Sequence, residues 1–328
     1  MALGNWPKGM VEDRYDWLFE GYDESPSMID TIFEVKTPTE GMHDQRTTAI
    51  AMGKLLQKTG SNTSVTYRRP SEAFTAYCVY RDFDDGLQLE KNEVERFPAS
   101  HVKDLVKSAV TSWGRGLRVA EDDFAVTLFT KGGFTAGHDN FKNVIANLVS
   151  QNTDGLAYDA KPFFNRSGNE RTSKGGGTYF NAISGSPLNV TNYATLHDRI
   201  FISNAYDERD ERVNVKSMGS VALLIPPQLR DEAVRTVESE YLPGTDQNDK
   251  NPWFKSCKLV EWDALRGNAA TWYMGVLKQG IRFYRAGKPE VRMFRDEDTG
   301  GYKASIRALY GFMAWNYRFW GGADVPTS

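Results

Sequence analysis

The sequence contains few of the side chains on which cross-links and metal sites depend. Its 328 residues include two cysteines and four histidines. The cysteines, Cys78 and Cys257, are too few for a disulfide framework and are typical of a protein that folds in a reducing cytoplasm. The histidines lie far apart and form none of the spacings that bind zinc; they are His43, His101, His138 and His197.

Long apolar runs and an excess of basic residues are also missing. No apolar stretch approaches the roughly 20 residues that a membrane-spanning helix needs, and residues 1–8 lack the apolar centre of a signal peptide. The formal net charge is -3, whereas a dedicated nucleic-acid-binding protein usually carries a basic excess. These absences predict a protein that folds and assembles in the cytoplasm without a membrane partner.

The motifs of common enzyme classes are missing as well. There is no G-x-S-x-G sequence, and the glycines at 175–177 lack the Lys-Ser/Thr pair of a phosphate-binding loop. We therefore expect no cofactor and no catalytic centre. The enzyme alternative is a metal-dependent hydrolase built on Asp84, Asp85 and His101, of which the two aspartates lie in an acidic stretch at 82–95. Oxygen-rich clusters bind hard cations, although runs of acids are more often solvated or paired.

What the chain does contain is large contact area and a heavily charged surface. It has 8 tryptophans, 15 tyrosines and 18 phenylalanines beside 25% charged residues, and 40% of its residues are hydrophobic. Aromatic residues and arginine are enriched in protein interfaces, while mixed charge keeps protomers soluble before they meet. The composition therefore favours an obligate oligomer whose subunit is long enough for two domains.

The first 42 residues are predicted to form an arm. A helix-compatible piece at 11–19 is followed by breakers at 21, 26, 38 and 41, and the aromatic residues follow no regular apolar period. Such a segment needs another surface, which is either the body of its own subunit or a neighbouring subunit. Its candidates for contact with a neighbour are Trp6, Tyr15 and Trp17.

The next segment, 43–78, is predicted to be a long hairpin with little to bury. One strand runs over 47–56, the small polar turn lies at 60–64, and the return strand includes 65–67. An isolated two-stranded ribbon is marginally stable in water, so an extended one usually packs against another chain; an ordinary surface hairpin is the alternative. Its basic candidates for subunit contact are Lys54, Lys58, Arg68 and Arg69.

The strongest helix signal in the chain covers 99–129, after strands predicted at 74–83 and 87–90. Apolar residues recur at spacings of three or four. Gly114 and Gly116 interrupt the pattern and indicate a bend or a closely approaching backbone. The predicted apolar face consists of Val102, Leu105, Val106, Ala109, Val110, Trp113, Leu117, Ala120, Phe124 and Leu128.

Further elements are predicted along the rest of the chain. Helices are expected at 140–149, at 190–205 with Thr191 or Asn192 as the cap, and at 229–240. A short buried strand is expected at 221–225, and the C-terminal region shows successive strand patterns. The mixed charges at 207–212, which include Arg209 and Arg212, are interpreted as a solvated cluster or a subunit edge.

Three segments resemble one protein family. They are the aromatic and glycine-rich stretch from 155–164 to the GGGTYFN turn at 175–181, the LLIPPxLxxxA sequence at 223–233, and the NPW sequence at 251–253. Together they resemble the major capsid proteins of tailed phages, in particular the Mu-like major head subunit group. The resemblance covers nearly all of the chain in the right order.

The resemblance implies an α+β fold of the Hong Kong 97 type. It assigns 1–42 to an N-terminal arm, 43–78 to an extended E-loop, 79–216 with a returning 285–322 to a peripheral domain carrying the long spine helix, and 217–284 to an axial domain. Such a protein forms hexamers and pentamers with itself and becomes part of the virion around double-stranded DNA held without sequence specificity. Scaffolding, portal and decoration proteins are further expected partners. A bacterial compartment shell, which shares the fold, is the structural alternative.

Overall fold

The computed structural model describes residues 8–38, 43–49, 72–133, 161–242, 249–296 and 300–326. The helices are α1 (Lys8–Glu24), α2 (Ile29–Ile32), α3 (Lys91–Arg96), α4 (Ala99–Thr130), α5 (Val190–Asp198) and α6 (Arg230–Ala233). The first seven strands are β1 (Glu34–Lys36), β2 (His43–Ala49), β3 (Glu72–Val79), β4 (Arg81–Leu89), β5 (Arg171–Thr172), β6 (Thr178–Tyr179) and β7 (Ala182–Ile183). The others are β8 (Val221–Ile225), β9 (Lys258–Glu261), β10 (Trp272–Val276), β11 (Ile281–Arg285), β12 (Glu290–Arg295), β13 (Tyr302–Ala314) and β14 (Trp320–Ala323).

The first large sheet is organised around β13, which is 13 residues long. Its residues 302–307 pair with β12 and its residues 310–314 pair with β11, while β4 lies along the opposite edge from 302 to 310. The N-terminal β1 extends this sheet by pairing in parallel with β11. The sheet therefore joins segments from the beginning, middle and end of the chain.

The second large sheet has the strand order β7-β14-β10-β8-β9. Its central strands β8 and β10 are almost completely buried, which is why their sequences are continuous apolar runs instead of alternating ones. The strand predicted at 221–225 is confirmed as β8. Strand β11, most of which lies in the expected axial segment 217–284, belongs to the first sheet, and β14, most of which lies in the expected returning segment 285–322, belongs to the second sheet.

The two sheets meet around the end of α4. The ring of Phe129 has five aromatic neighbours with centroids between 5.2 and 5.9 Å away, namely Phe33, Phe164, Trp262, Tyr273 and Trp320. Most of these contacts are edge-to-face, the arrangement that aromatic quadrupoles favour. The hydroxyl of Tyr273 also donates to the Phe129 carbonyl at 2.9 Å. This aromatic cluster gives both sheets and the long helix one continuous core.

Helix α4 confirms the predicted long helix and corrects part of its face. It has 32 residues, so it is about 48 Å long at about 1.5 Å per residue. Most of the predicted apolar face is buried, but Leu105 is 44% exposed. In contrast, Glu121 is completely buried because Arg285, from β11, pairs with its carboxylate. Periodicity alone does not reveal a partner supplied by a distant strand.

The N-terminal segment from residue 8 packs on its own subunit. Helix α1 continues beyond the predicted 11–19 piece to Glu24. Leu18 in α1 and the side chains of Ile29, Ile32 and Phe33 are completely buried. The sequence left open whether this segment packs on its own subunit or on a neighbour. Residues 8–36 pack on their own subunit, where they form a strap across α4 and the first sheet.

Two glycines explain how closely α1 approaches α4. A Cβ atom on Gly21 would lie 2.0 Å from the Thr111 carbonyl oxygen, and one on Gly114 would lie 2.2 Å from the Leu18 carbonyl oxygen. The sequence left two explanations for these glycines, a bend in the helix or a closely approaching backbone. Gly114 agrees with the second, because the backbone of α1 lies against it. A Cβ on Gly116 would meet no atom within 4 Å, so the helix crossing does not require that glycine.

We expect Gly114→Ala to lower the free energy of unfolding of the unassembled subunit by about 2–4 kcal/mol, because a methyl group there collides with the backbone of α1. The matched variant Gly116→Ala should raise it by up to about 1 kcal/mol, since alanine favours a helix and has open space there. Urea unfolding followed by circular dichroism measures both. Equal effects of the two substitutions would contradict the close helix crossing.

Several element boundaries differ from the sequence prediction. Strands β3 and β4 break at Tyr80 rather than within the predicted 83–87 gap. Helix α5 ends at Asp198 and continues as a π-helical turn, and its cap is Asn189, which accepts a hydrogen bond from the Asn192 backbone N–H. The helix predicted at 229–240 is a composite of short 3-10, α and π segments. The helix predicted at 140–149 lies outside the described residues.

Candidate subunit-contact surfaces

The predicted hairpin begins as a two-stranded antiparallel ribbon. Strand β2 pairs with β3 from His43 opposite Val79 to Ala49 opposite Glu72. On β3, Ala76 and Cys78 are buried against a cluster that includes Tyr284 of the first sheet. The base of the ribbon is therefore attached to the subunit, while residues 50–71 lie outside the described part of the chain. The predicted contact residues Lys54, Lys58, Arg68 and Arg69 belong to that segment.

The N-terminal contact candidates have different surroundings. Trp17 is 6% exposed and belongs to the subunit core, with the Lys103 ammonium 5.6 Å from its ring centroid. Tyr15 is half-buried, with the Arg14 guanidinium 4.8 Å from its ring. Trp6 lies outside the described residues. Contact with a neighbouring subunit stays a prediction for these residues. Because Trp17 is buried, little of its side chain is accessible to a neighbour.

Asn181, the last residue of the GGGTYFN turn, is a buried hydrogen-bonding centre. Its side-chain N–H groups donate to the carbonyls of Phe163 at 3.0 Å and Trp320 at 2.8 Å, and its side-chain oxygen accepts from the Asn165 backbone N–H at 2.8 Å. A buried amide that is satisfied on both sides specifies geometry strongly. Asn181 thereby joins the aromatic pair before the turn to the C-terminal strand β14.

The glycines at 175–177 make room for the carboxylate of Asp210. Its oxygens accept hydrogen bonds from the Ser173 hydroxyl, the Tyr179 hydroxyl and the Gly177 N–H at 2.6, 2.7 and 2.9 Å. A Cβ on Gly175 or Gly177 would lie 2.3 or 2.6 Å from an oxygen of this carboxylate. The hydrogen bonds from Ser173 and Tyr179 lower the pKa of Asp210. The turn therefore holds an internal carboxylate.

The charged run at 207–212 is only partly the solvated cluster that the sequence predicts. Asp207 accepts hydrogen bonds from the backbone N–H groups of residues 209 and 211, and Glu208 is buried in an ion pair with Arg318. With Asp210 under the glycine turn, three acids have internal partners from elsewhere in the chain or from their own backbone. Arg212 is exposed and Arg209 is half-buried, so Arg212 is the more accessible of these two predicted contact residues.

The acidic side chains of β4 border a groove of about 510 Å³ between β4 and α4. Asp82 pairs with Arg307 through two contacts of 2.7 and 2.9 Å, and its pKa is lowered mainly by this hydrogen-bonded partner. Asp85 accepts a hydrogen bond from the indole N–H of Trp113 at 2.8 Å. These acids are therefore engaged with basic or polar groups of the same subunit.

The residues of the hydrolase alternative do not form one centre. Asp85 faces Trp113, whereas His101 lies against the Phe97 ring, 5.0 Å between centroids, about three turns earlier along α4. In the described ranges, no group of three or more His, Cys, Asp or Glu residues is placed to hold a metal ion. The geometry gives the hydrolase alternative no support.

Exposed apolar side chains are the surface features that sequence reasoning missed. Phe97 and Leu105 are 51% and 44% exposed and border a small groove of about 90 Å³ at the start of α4. Ile202, in the π-helical turn after α5, is 62% exposed. An apolar residue at helical spacing is normally assigned to the core, so only the packed structure distinguishes these positions.

No helix in the described ranges has the length and hydropathy needed to cross a membrane.

Solved capsid structures share this arrangement over most of their length. The capsid of Ralstonia phage GP4 matches with a TM-score of 0.56 and 9% identity, covering 90% of this chain and 87% of that chain. The capsid of cyanophage P-SCSP1u matches with a TM-score of 0.53 and 10% identity over 92% and 89%. The mature capsid of bacteriophage PhiM1 matches with a TM-score of 0.53 and 9% identity over 91% and 87%.

At these identities the likeness shows the fold. The chain has the α+β Hong Kong 97-type fold of tailed-phage capsid proteins, and this part of the sequence prediction is confirmed. No protein-family model and no curated protein matches the sequence.

Proposed function

We propose that the chain is the major capsid protein of a tailed phage. In this proposal it assembles with itself into an icosahedral shell that encloses a double-stranded DNA genome. The observation that carries the proposal is the extent of the shared fold, since the match to the Ralstonia phage capsid covers 90% of this chain and 87% of that one. A match of this extent covers most of both chains rather than a small part of either.

The geometry is suited to assembly rather than turnover. The described base of the ribbon packs on its own subunit, and in this proposal the segment 50–71 packs on a neighbouring subunit. The strap and the two sheets stabilise the subunit itself. Repeated contacts between unlike surfaces around five-fold and six-fold axes close a shell. Many individually weak contacts then become strong together through multivalency.

The finer assignments follow from the same proposal. Arg212, the exposed part of Tyr15 and the basic residues Lys54, Lys58, Arg68 and Arg69 are the proposed contacts to neighbouring subunits, with Trp6, Trp17 and Arg209 as the remaining candidates. The segments 1–42, 43–78, 79–216 with 285–322, and 217–284 are proposed as arm, E-loop, peripheral domain and axial domain. Because β11 pairs with β13 and β14 pairs with β10, β11 is proposed to belong with the peripheral sheet and β14 with the axial sheet.

The proposed partners match the charge of the chain. With a net charge of -3, the subunit encloses DNA without many phosphate contacts, so binding is independent of sequence. Scaffolding, portal and decoration proteins, assembly in the host cytoplasm and membership of the Mu-like group are parts of the proposal. The completed shell is a component of the virion.

Electron microscopy of particles carrying this protein tests the proposal. We expect closed shells with five-fold and six-fold clusters of subunits, and nuclease-protected double-stranded DNA inside particles from an infected host. A compartment shell would instead contain protein cargo and no protected DNA. Discrete small oligomers under all assembly conditions, including with the scaffolding protein, would refute both kinds of shell.

Deleting residues 57–64 is expected to leave a folded subunit that forms no closed shells, because the sequence of this segment offers little apolar surface to bury on its own. Circular dichroism and thermal unfolding check the fold, and electron microscopy checks assembly. The matched control replaces 60–64 with a Gly-Ser segment of equal length, which should still assemble. Normal particles from the deletion would overturn the E-loop assignment.

A further inference from the structure

A buried ionic cluster fastens the N-terminal strap to α4 and the first sheet. The Glu121 carboxylate, which is completely buried, accepts a hydrogen bond from the Tyr22 hydroxyl at 2.9 Å. Arg285 of β11 contacts both Glu121 and Asp30 of α2, each at 2.9 Å. The Arg118 guanidinium lies 3.6 Å from the Tyr22 ring centroid and donates to the Tyr22 carbonyl. One cluster thus joins α1, α2, α4 and β11.

Asp122, the next residue of α4, lies under the turn between α1 and α2. Its carboxylate accepts a hydrogen bond from the Ser27 hydroxyl at 3.2 Å, and the Ser27 oxygen accepts from the Ile29 backbone N–H at 3.2 Å. The Ser27 hydroxyl therefore connects the first N–H of α2 to the Asp122 carboxylate. Through these hydrogen bonds, the turn between α1 and α2 contacts α4 at Asp122.

The cluster contains more acids than bases. Four carboxylates, those of Asp30, Glu121, Asp122 and Asp123, share the neighbourhood with two guanidinium groups, those of Arg118 and Arg285. Glu121 and Asp30 have close contacts with these guanidinium groups, whereas Asp122 has a hydroxyl as its hydrogen-bonding partner. Tyr22 on α1 and Tyr310 on β13 complete the titratable groups facing the cluster.

Burial, helped by the negative charges of the neighbouring Glu121 and Asp123, raises the pKa of Asp122 to about 6. The Ser27 hydrogen bond and the Arg118 charge act in the opposite direction without cancelling the effect. The group therefore changes charge near neutral pH, in contrast to an ordinary exposed aspartate.

We propose that Asp122 is the proton-binding group of a clasp that holds the N-terminal strap on α4. When it is ionised, an excess negative charge is confined beside Glu121 under the α1–α2 turn. When it is protonated, Asp122 and Ser27 form a neutral hydrogen-bonded pair and the excess charge falls by one. The strap is therefore held more firmly in mildly acidic solution than at neutral or alkaline pH.

The direction follows from proton linkage. Detaching the strap exposes Asp122, and its pKa returns to the ordinary value of 3.8. The closed clasp thus binds the proton more tightly than the open one, so lowering the pH through 6 favours closure. Between pH 7.5 and pH 5.0 the opening equilibrium should fall by about tenfold. Because Asp122 is partly exposed to solvent, tenfold is the upper limit of this change in the opening equilibrium.

Hydrogen exchange of the full-length chain, followed by mass spectrometry, tests the clasp. After correction for the pH dependence of intrinsic exchange, protection of the amides in α1 and α2 should rise by about three- to tenfold from pH 7.5 to pH 5.0. Amides of α5, in the other part of the fold, are the internal reference and should not change in parallel. In Asp122→Asn, strap protection should be high at both pH values, because the amide still accepts from Ser27 and carries no charge.

The exposed neighbour supplies the matched control. Asp123→Asn removes one charge from the same helix turn without touching Ser27, and it should retain most of the wild-type pH response. The clasp is refuted if wild-type protection is the same at both pH values, if α5 changes equally, or if the response is lost in Asp123→Asn while it persists in Asp122→Asn. The measurement concerns the subunit whether or not shells form, so its failure would leave the proposed function intact.

Discussion

Trp113→Asp is expected to lower the free energy of unfolding of the subunit by about 4 kcal/mol or more. Trp113 is 9% exposed, and its indole N–H donates to Asp85 at 2.8 Å. Replacing it removes a large apolar side chain and places a second carboxylate beside Asp85. Urea or guanidinium unfolding of the unassembled subunit measures the loss, and we expect much of the variant to be insoluble.

Leu105→Asp is the matched control for this substitution. Leu105 lies two turns earlier on the same helix and belongs to the same predicted apolar face, but it is 44% exposed. A carboxylate there remains solvated, so the expected loss is below about 1 kcal/mol. If both variants lost the same free energy of unfolding, the orientation of α4 described above would be wrong.

Asn181→Asp is expected to cost about 3–5 kcal/mol although it hardly changes the shape of the side chain. Asn181 is 1% exposed, and its N–H groups face the carbonyls of Phe163, Tyr317 and Trp320. A carboxylate has no N–H to donate, so it leaves these carbonyls without a donor and adds a buried charge facing them. Thermal unfolding of the subunit at neutral pH measures the loss.

Asn192→Asp is the corresponding control at a half-buried position whose side-chain hydrogen bond is exposed to solvent. The Asn192 amide donates to the Pro187 carbonyl in the first turn of α5. Losing this one solvent-exposed hydrogen bond is offset by a favourable charge near the helix N-terminus, so the expected change is within about 1 kcal/mol. A comparable loss in both variants would mean that Asn181 does not act as the buried centre described above.

The predictable parts of the fold are those with a strong local pattern. The α4 helix follows from apolar residues repeated every three or four positions over 99–129, and β8 follows from five apolar residues before Pro226 and Pro227. In both cases the residue types and their spacing predict which side chains are mostly buried. The predicted hairpin is only partly comparable. Strand β2 overlaps the strand predicted at 47–56 at residues 47–49, but its partner β3 falls on the strand predicted at 74–83. The predicted turn and return strand lie outside the described residues.

The failures have a common physical cause. Glu121 is buried because Arg285, 164 residues away in sequence, brings a guanidinium to its carboxylate. Leu105, at the start of α4, is 44% exposed because no other segment covers it fully. Glu208 is buried because Arg318 supplies a guanidinium, and Asp210 is held by the glycine turn at 175–177; neither partner is visible in the local sequence pattern. For the contact candidates, sequence identifies exposable residue types, but accessibility depends on what packs over them, as Trp17 shows.

The sequence by itself determined the long helix, the buried strand β8 and a resemblance to phage capsid proteins whose fold the structure confirms. These features depend on short-range periodicity and on motifs that are read within about thirty residues. Only the tertiary structure decided that residues 8–36 cover their own subunit, that β11 and β14 belong to the sheets they do, and that Asp122 lies beneath the strap. Those outcomes depend on which distant segments pack against each other. Burial, charge pairing and close backbone contact arise only between two packed segments, so neither segment's sequence predicts them alone.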